Sequence, residues 1–201
     1  MAQGLYKHLS EVWRNPKENL PDFRARLLEW RRSDAIVRIE KPSRLDRTRT
    51  LGYKAKRGFV VVRVRVKRGG RTRPRPTKKG RRSKRQTIRK ILAMNYQWVA
   101  EQRASSRFHN LEVLNSYWLA KDGKHAWFEV ILVDPQAPEI KADKQLSWIS
   151  KGTHRGRAYR GLTSAGRRSR GLRWKGKGAE SARPSKRAQS AERWKKKSRA
   201  D

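Results

Sequence analysis

Residues 59–90, reading FVVVRVRVKRGGRTRPRPTKKGRRSKRQTIRK, constrain the fold of this chain more than any other stretch. The stretch opens with a period of two: Val60, Val62, Val64 and Val66 point one way, and Val61, Arg63, Arg65 and Lys67 the other. Alternation of β-branched residues over this length predicts a half-buried strand with a cationic outer face. The strand runs into Gly69-Gly70, after which no hydrophobic pattern remains. From Lys67 to Lys90 there are 13 Lys or Arg in 24 residues and no acid. Like charges at that density repel one another, so the segment needs a dense anionic partner to settle on. A polyphosphate backbone supplies one.

The rest of the composition agrees. The chain has 201 residues with a formal net charge of +37, from 54 basic and 17 acidic residues. Solubility requires far less, and duplex nucleic acid, with roughly one negative charge per 1.7 Å of axis, is the common partner of matching density. No acid occurs from Arg47 to Ala100 or from Lys144 to Ala179, so two acid-free tracts flank a mixed segment. We therefore expect a body over residues 1–150, with an inserted basic arm at about 67–82, and a basic Gly/Arg-rich extension over 151–201. The absence of cysteine excludes disulfides and thiolate metal sites. The four histidines never approach a metal-ligand spacing. With no apolar run longer than four residues, neither a membrane-spanning helix nor a signal segment is expected, and the expectation is a soluble intracellular protein.

Read in order, Leu5, Leu9, Val12 and Trp13 recur at helical spacing and predict a short helix over about 4–14, ended by Asn15-Pro16. A second helix is expected from near Pro21, with Phe23, Leu27 and Trp30 as its apolar face. AIVRIE at 35–40 reads as a short strand. Residues 43–58, SRLDRTRTLGYKAKRG, lack periodicity and read as a loop that orders on binding, with Tyr53 for stacking or packing. Ser83 and Gln86 form a capping-box pattern ahead of Ile88, Ile91, Leu92 and Val99, predicting a helix from Ser83 to about Ser105. Its basic first turns suit a bound phosphate. Residues 111–119 and 126–133 predict a hairpin turning at Asp122-Gly123, with Leu111, Val113, Leu119, Phe128, Val130 and Leu132 inward and Trp118 and Trp127 packed. Beyond Lys151, glycines spaced by about five among arginines read as low complexity unable to order itself, and a short helix is expected after Pro184.

No phosphate-binding Gly-rich loop, dinucleotide fingerprint, nucleophile elbow or thiol nucleophile is present. Glu139 and Asp143 read as solvated charges rather than an acid/base pair. No catalytic residue, metal, cofactor or small-molecule substrate is expected.

GLYKHLSEVWRN at 4–15, KRGGRTRPRPTKKG at 67–80, NYQWVAEQRA at 95–104, FHNLEVLNSYW at 108–118 and GLTSAGRRSRGL at 161–172 resemble the large-subunit ribosomal protein fifteen family of archaeal and eukaryotic type. The likeness runs along essentially the whole chain. It implies an α+β body with a four-stranded antiparallel sheet and packed helices, together with extended basic segments ordered by large-subunit rRNA. It also implies a cytoplasmic location in the large subunit, neighbouring ribosomal proteins as further partners, and no membrane. The expected rRNA contacts are Arg47, Arg49, Lys54, Lys56 and Arg57 before the strand, and Arg63, Arg65 and Lys67 on it. Arg68, Arg71, Arg73, Arg75, Lys78, Lys79, Arg81, Arg82, Lys84 and Arg85 follow in the arm, and Arg155, Arg157, Arg160, Arg167, Arg168, Arg170 and Arg173 in the tail. A DNA-compacting protein of nucleoid or chromatin type is the alternative, since the same charge suits duplex DNA equally well, and an RNA-modifying enzyme is the other rival class.

Overall fold

The structure, a computed structural model, describes residues 3–70, 92–185 and 189–190. Its centre is a four-stranded antiparallel sheet in the order β1-β2-β4-β3, formed by β1 (Ile36–Ile39), β2 (Phe59–Lys67), β3 (Glu112–Lys121) and β4 (His125–Val133). The alternating pattern of β2 sets its register against β4, with Val62 opposite Val130 and Val64 opposite Phe128. Val62, Val64, Val66, Phe128, Val130 and Leu132 therefore share one face. Packed on that face is α5 (Tyr96–Arg107), through Ala100 and Ala104, both fully buried. Small residues there let the helix backbone approach the valines closely.

The other face is covered as well. The N-terminal helices α1 (Leu5–Val12), α2 (Pro16–Asn19) and α3 (Phe23–Arg32) bring Trp13, Phe23, Leu27 and Trp30 onto Tyr117, Leu119, Trp127 and Ile131. Trp30 and Trp127 pack with ring centroids 6.2 Å apart. Fully burying side chains of this size stabilises by roughly 1.5–3 kcal/mol each, so this second layer is as much core as the first. The outer face of β2 is accordingly not a free cationic surface: α3 lies over it. Asn15-Pro16 ends α1 as expected, but Pro16 also opens the four-residue α2.

Further corrections to the sequence reading have physical causes. Residues 45–50 are not loop but α4 (Leu45–Thr50), anchored by polar groups, so no apolar periodicity betrays it. Its Thr48 is fully buried, with Oγ1 2.8 Å from the Tyr117 hydroxyl. The helix expected to run unbroken from Ser83 is not continuous: residues 92–95 are non-helical, Ala93 has φ 55°, and α5 starts anew with the Asn95 side chain accepting from the Trp98 amide at 2.7 Å. The Ser83–Gln86 pattern lies outside the described residues. In β3, register shifts between Val113 and Asn115 and between Trp118 and Ala120 move Leu119 to the opposite core from Val113. Trp127 is buried, whereas Trp118 is 38% exposed.

The largest difference concerns the glycine- and arginine-rich tail. After α6 (Pro138–Lys141) and 3-10 turns at Ser147–Ser150 and Gly152–His154, the chain returns to the α5 face and forms α7 (Ser164–Ser169). Ala158, Thr163, Ala165 and Ala179 are buried. A Cβ on Gly166 would lie 2.5 Å from the Gly161 Cα, and one on Gly161, at φ 65°, would lie 3.0 Å from the Trp98 ring. These glycines serve close approach within the protein, which low complexity does not suggest. The expected helix after Pro184 falls mostly outside the described residues, of which 189 and 190 are helical.

Candidate nucleic-acid interface

The placement of the acids governs what the cations can do. Asp46, Glu101, Glu112 and Glu129 are buried, Glu101 and Glu129 completely. Glu101, on α5, accepts hydrogen bonds from Ser116 Oγ and Thr163 Oγ1. Burial pushes its carboxyl above the ordinary range, against the pull of those two hydroxyls and of nearby Arg157. Glu129, on β4, accepts from the Tyr117 hydroxyl and from the Ser43 amide at 3.1 Å. Burial raises its pKa too, with the Ser43 and Tyr117 bonds and Arg63 opposing. These acids are spent on the interior, so the exterior is more positive than the net charge alone conveys.

The expected contact residues then divide into three groups. The first is engaged within the protein. Arg63 lies over the Trp30 ring at 4.9 Å, and burial lowers its pKa while Glu29 and Glu129 oppose that shift. Arg157 lies over Trp148 at 4.5 Å and its Nε donates to the Val113 carbonyl of the edge strand at 3.2 Å. Lys54 and Lys56 both donate to Asp143, at 2.7 and 2.8 Å, and hold that carboxyl well below the ordinary range. Asp143 is thus an ion-pair partner rather than a free solvated charge. Arg65 and Arg68 donate to the Arg31 and Asp122 carbonyls. Arg160 donates to the Arg155 carbonyl at 2.8 Å, and Arg170 to the Gly161 carbonyl at 3.2 Å.

In the second group, Arg47, Arg49, Arg57, Lys67, Arg155, Arg167, Arg168 and Arg173 are exposed. Their side chains make no hydrogen bond or ion pair among the described residues. Arg47 and Arg49 project from α4, which packs beside α1 on the Trp127 face. Arg167 and Arg168 project from α7, on the α5 face. Free cations therefore lie on both sides of the sheet. The third group, Arg71, Arg73, Arg75, Lys78, Lys79, Arg81, Arg82, Lys84 and Arg85, lies outside the described residues. The flanks of that segment meet at one corner, where the Gly69 amide donates to the Tyr96 hydroxyl at 2.8 Å. There Asn95 also joins α5 to the tail, its Nδ2 donating to the Ala165 carbonyl at 3.1 Å and its amide to Ser169 Oγ at 3.0 Å.

Sequence reasoning passed over Arg44 and Tyr6. Arg44 sits over the Trp13 ring at 5.1 Å and donates to Asp46 Oδ2 at 3.3 Å, and Tyr6 on α1 is 47% exposed. Nothing in the local pattern marks either, because α1 and α4 meet only in the folded protein. No group of His, Cys, Asp and Glu able to hold a metal ion occurs among the described residues, nor does a helix long and apolar enough to cross a membrane.

Comparison with known proteins supplies the family. The chain is 52% identical over 188 residues to the Large ribosomal subunit protein eL15 of Methanocella arvoryzae, covering 92% of this chain and 95% of that protein. The family model described as Ribosomal L15 matches residues 4–189, which takes in the sheet, both helical layers and the tail from Lys151 to residue 189. With a match of that extent, the chain belongs to the Ribosomal L15e family.

Proposed function

We propose that this protein is a structural, non-catalytic constituent of the large ribosomal subunit, in the cytoplasm, and that it binds large-subunit rRNA on both faces of its sheet. The observation carrying this reading is the division of charge: Asp46, Glu101, Glu112 and Glu129 are buried and Asp143 is ion-paired, while arginines with no side-chain partner among the described residues project from α4 on one side and α7 on the other. A protein held between RNA helices needs cations on opposite faces; one that docks on a single surface does not. Each phosphate neutralised releases condensed counterions, and the planar guanidinium fork binds phosphate through two parallel hydrogen bonds. The cations from Arg71 to Arg85 enter the proposal on sequence alone, as the densest acid-free run of the chain. The likeness to the Large ribosomal subunit protein eL15 of Methanocella arvoryzae supports the assignment to the large subunit. Neighbouring ribosomal proteins are further partners in this reading.

Gradient fractionation of cell extract at high magnesium tests it. The protein is expected in the large-subunit peak. Recovery mainly with chromosomal DNA would favour a DNA-compacting role instead, and recovery as free protein would remove the ribosomal reading.

A further inference from the structure

At 66% exposure, Trp174 is the most exposed tryptophan among the described residues. Trp13, Trp30 and Trp148 each carry an arginine on the ring, and Trp98 and Trp127 are buried. The Trp174 ring has no aromatic or cationic partner among the described residues, and its indole N–H no acceptor. It is nonetheless held in place. At the end of α7, Gly171 turns the chain at φ 72°, its amide bonding the Arg168 carbonyl at 3.1 Å and the Leu172 amide the Arg167 carbonyl at 3.0 Å. That pair of bonds is the glycine-terminated helix stop. The Trp174 amide then donates to the Gly171 carbonyl at 3.3 Å. Because Gly171 lacks a side chain, the benzo edge of the indole lies against it: a Cβ there would sit 3.6 Å from Trp174 Cε3. One edge of the ring is anchored on the helix end, and most of its surface is open.

The surroundings decide what such a ring receives. Arg173, Lys175 and Lys177 are exposed, with no side-chain partner among the described residues. The acid that follows them, Glu180, is turned onto the Gly178 amide at 2.7 Å. A protein partner that buried the indole would need a contiguous apolar patch around it, yet Trp174 is the only exposed large apolar side chain in 171–180. A nucleotide joins a flat base to an anionic phosphate, which is the combination this segment complements.

We propose that Trp174 is a stacking platform for one unpaired base of the bound RNA, with Arg173, Lys175 and Lys177 on the flanking phosphates. The proposal rests on the rRNA-binding reading above and names a site within it. The platform directly follows the helix from which Arg167 and Arg168 project, so it extends a set of cations already assigned to RNA. Every base has a π-face, so the site selects an unpaired nucleotide rather than a sequence.

The test uses the full-length protein at elevated salt and two hairpin RNAs of equal charge, one with a single-stranded uridine tail and one with an abasic tail. The uridine tail should bind roughly ten-fold tighter, as expected for one stacked base. Trp174→Ala should remove that preference without changing the salt dependence or the melting temperature, and Trp174→Phe should keep part of it. Arg173→Gln with Lys175→Gln should do the reverse, lowering the salt dependence while the preference remains. Equal affinity of the wild type for the two RNAs, or a preference that survives Trp174→Ala, overturns the platform while leaving rRNA binding standing. In purified large subunits, a crosslink from residue 174 to a protein instead of to rRNA would equally overturn it. Failure to bind either hairpin would overturn the rRNA-binding reading as well.

Discussion

Thr163 Oγ1 donates to the buried carboxylate of Glu101 and at the same time accepts from the Gly166 amide at 3.2 Å, so one hydroxyl caps α7 and ties the tail to α5. Thr163→Val removes both bonds. Loss of the cap costs about 0.5–2 kcal/mol, and an unsatisfied buried acceptor adds about 1–3 kcal/mol. Denaturant titration should therefore show a loss of about 2–4 kcal/mol, while Thr163→Ser retains most of the stability. A negligible loss for valine would mean that the tail is not bound to the body by this pair.

Glu101 also gives a pH signature. Burial raises its folded-state pKa above the ordinary 4.5, so the native state prefers the protonated acid. That contribution is fully present below the ordinary value and is lost as pH rises through the raised one. Glu101→Gln abolishes the loss, since the amide stays neutral and still bonds both hydroxyls. The stability of the variant relative to wild type should climb as pH increases from below 4.5 towards neutrality. A difference independent of pH would show that Glu101 does not titrate with folding.

Close packing of Gly166 on Gly161 predicts that Gly166→Ala is destabilising by about 1–3 kcal/mol, the usual range for forcing a methyl into filled space. A Cβ at Gly123, in the turn between β3 and β4, meets nothing within 4 Å, so Gly123→Ala serves as the tolerated control. Thermal unfolding of both variants checks the contrast, which equal melting temperatures would contradict.

The division of the arginines makes a paired prediction. Arg47→Gln with Arg49→Gln should leave stability unchanged and lower the slope of log affinity against log salt by roughly 0.7–0.9 per lost phosphate contact. Arg63→Gln should instead cost about 1–2 kcal/mol of stability by removing the cation from the Trp30 face, with little change in slope. The opposite pattern would mean that the two sets have been interchanged.

Period-two alternation in β2 and β4, and the Phe23–Leu27–Trp30 face of α3, were legible because apolar burial leaves a periodic trace. Residues held by polar groups leave none, which is why α4, anchored by Thr48, and α7, capped by Thr163, were missed. The β3 register shifts were hidden for a related reason: Leu119 is apolar on either reading, and only the partner strand decides which core receives it. At the interface, counting charge located the basic tracts. It could not separate Arg157, stacked on Trp148, from Arg167 further along the same tail, because partners elsewhere in the fold set that difference.

Ultraviolet crosslinking of purified large subunits, with mass spectrometry of peptide–RNA adducts, tests the two-faced account most directly. It predicts rRNA adducts both on peptides carrying Arg47 and Arg49 and on peptides carrying Arg167 and Arg168. Adducts confined to one of these regions, or absent from both, would contradict it.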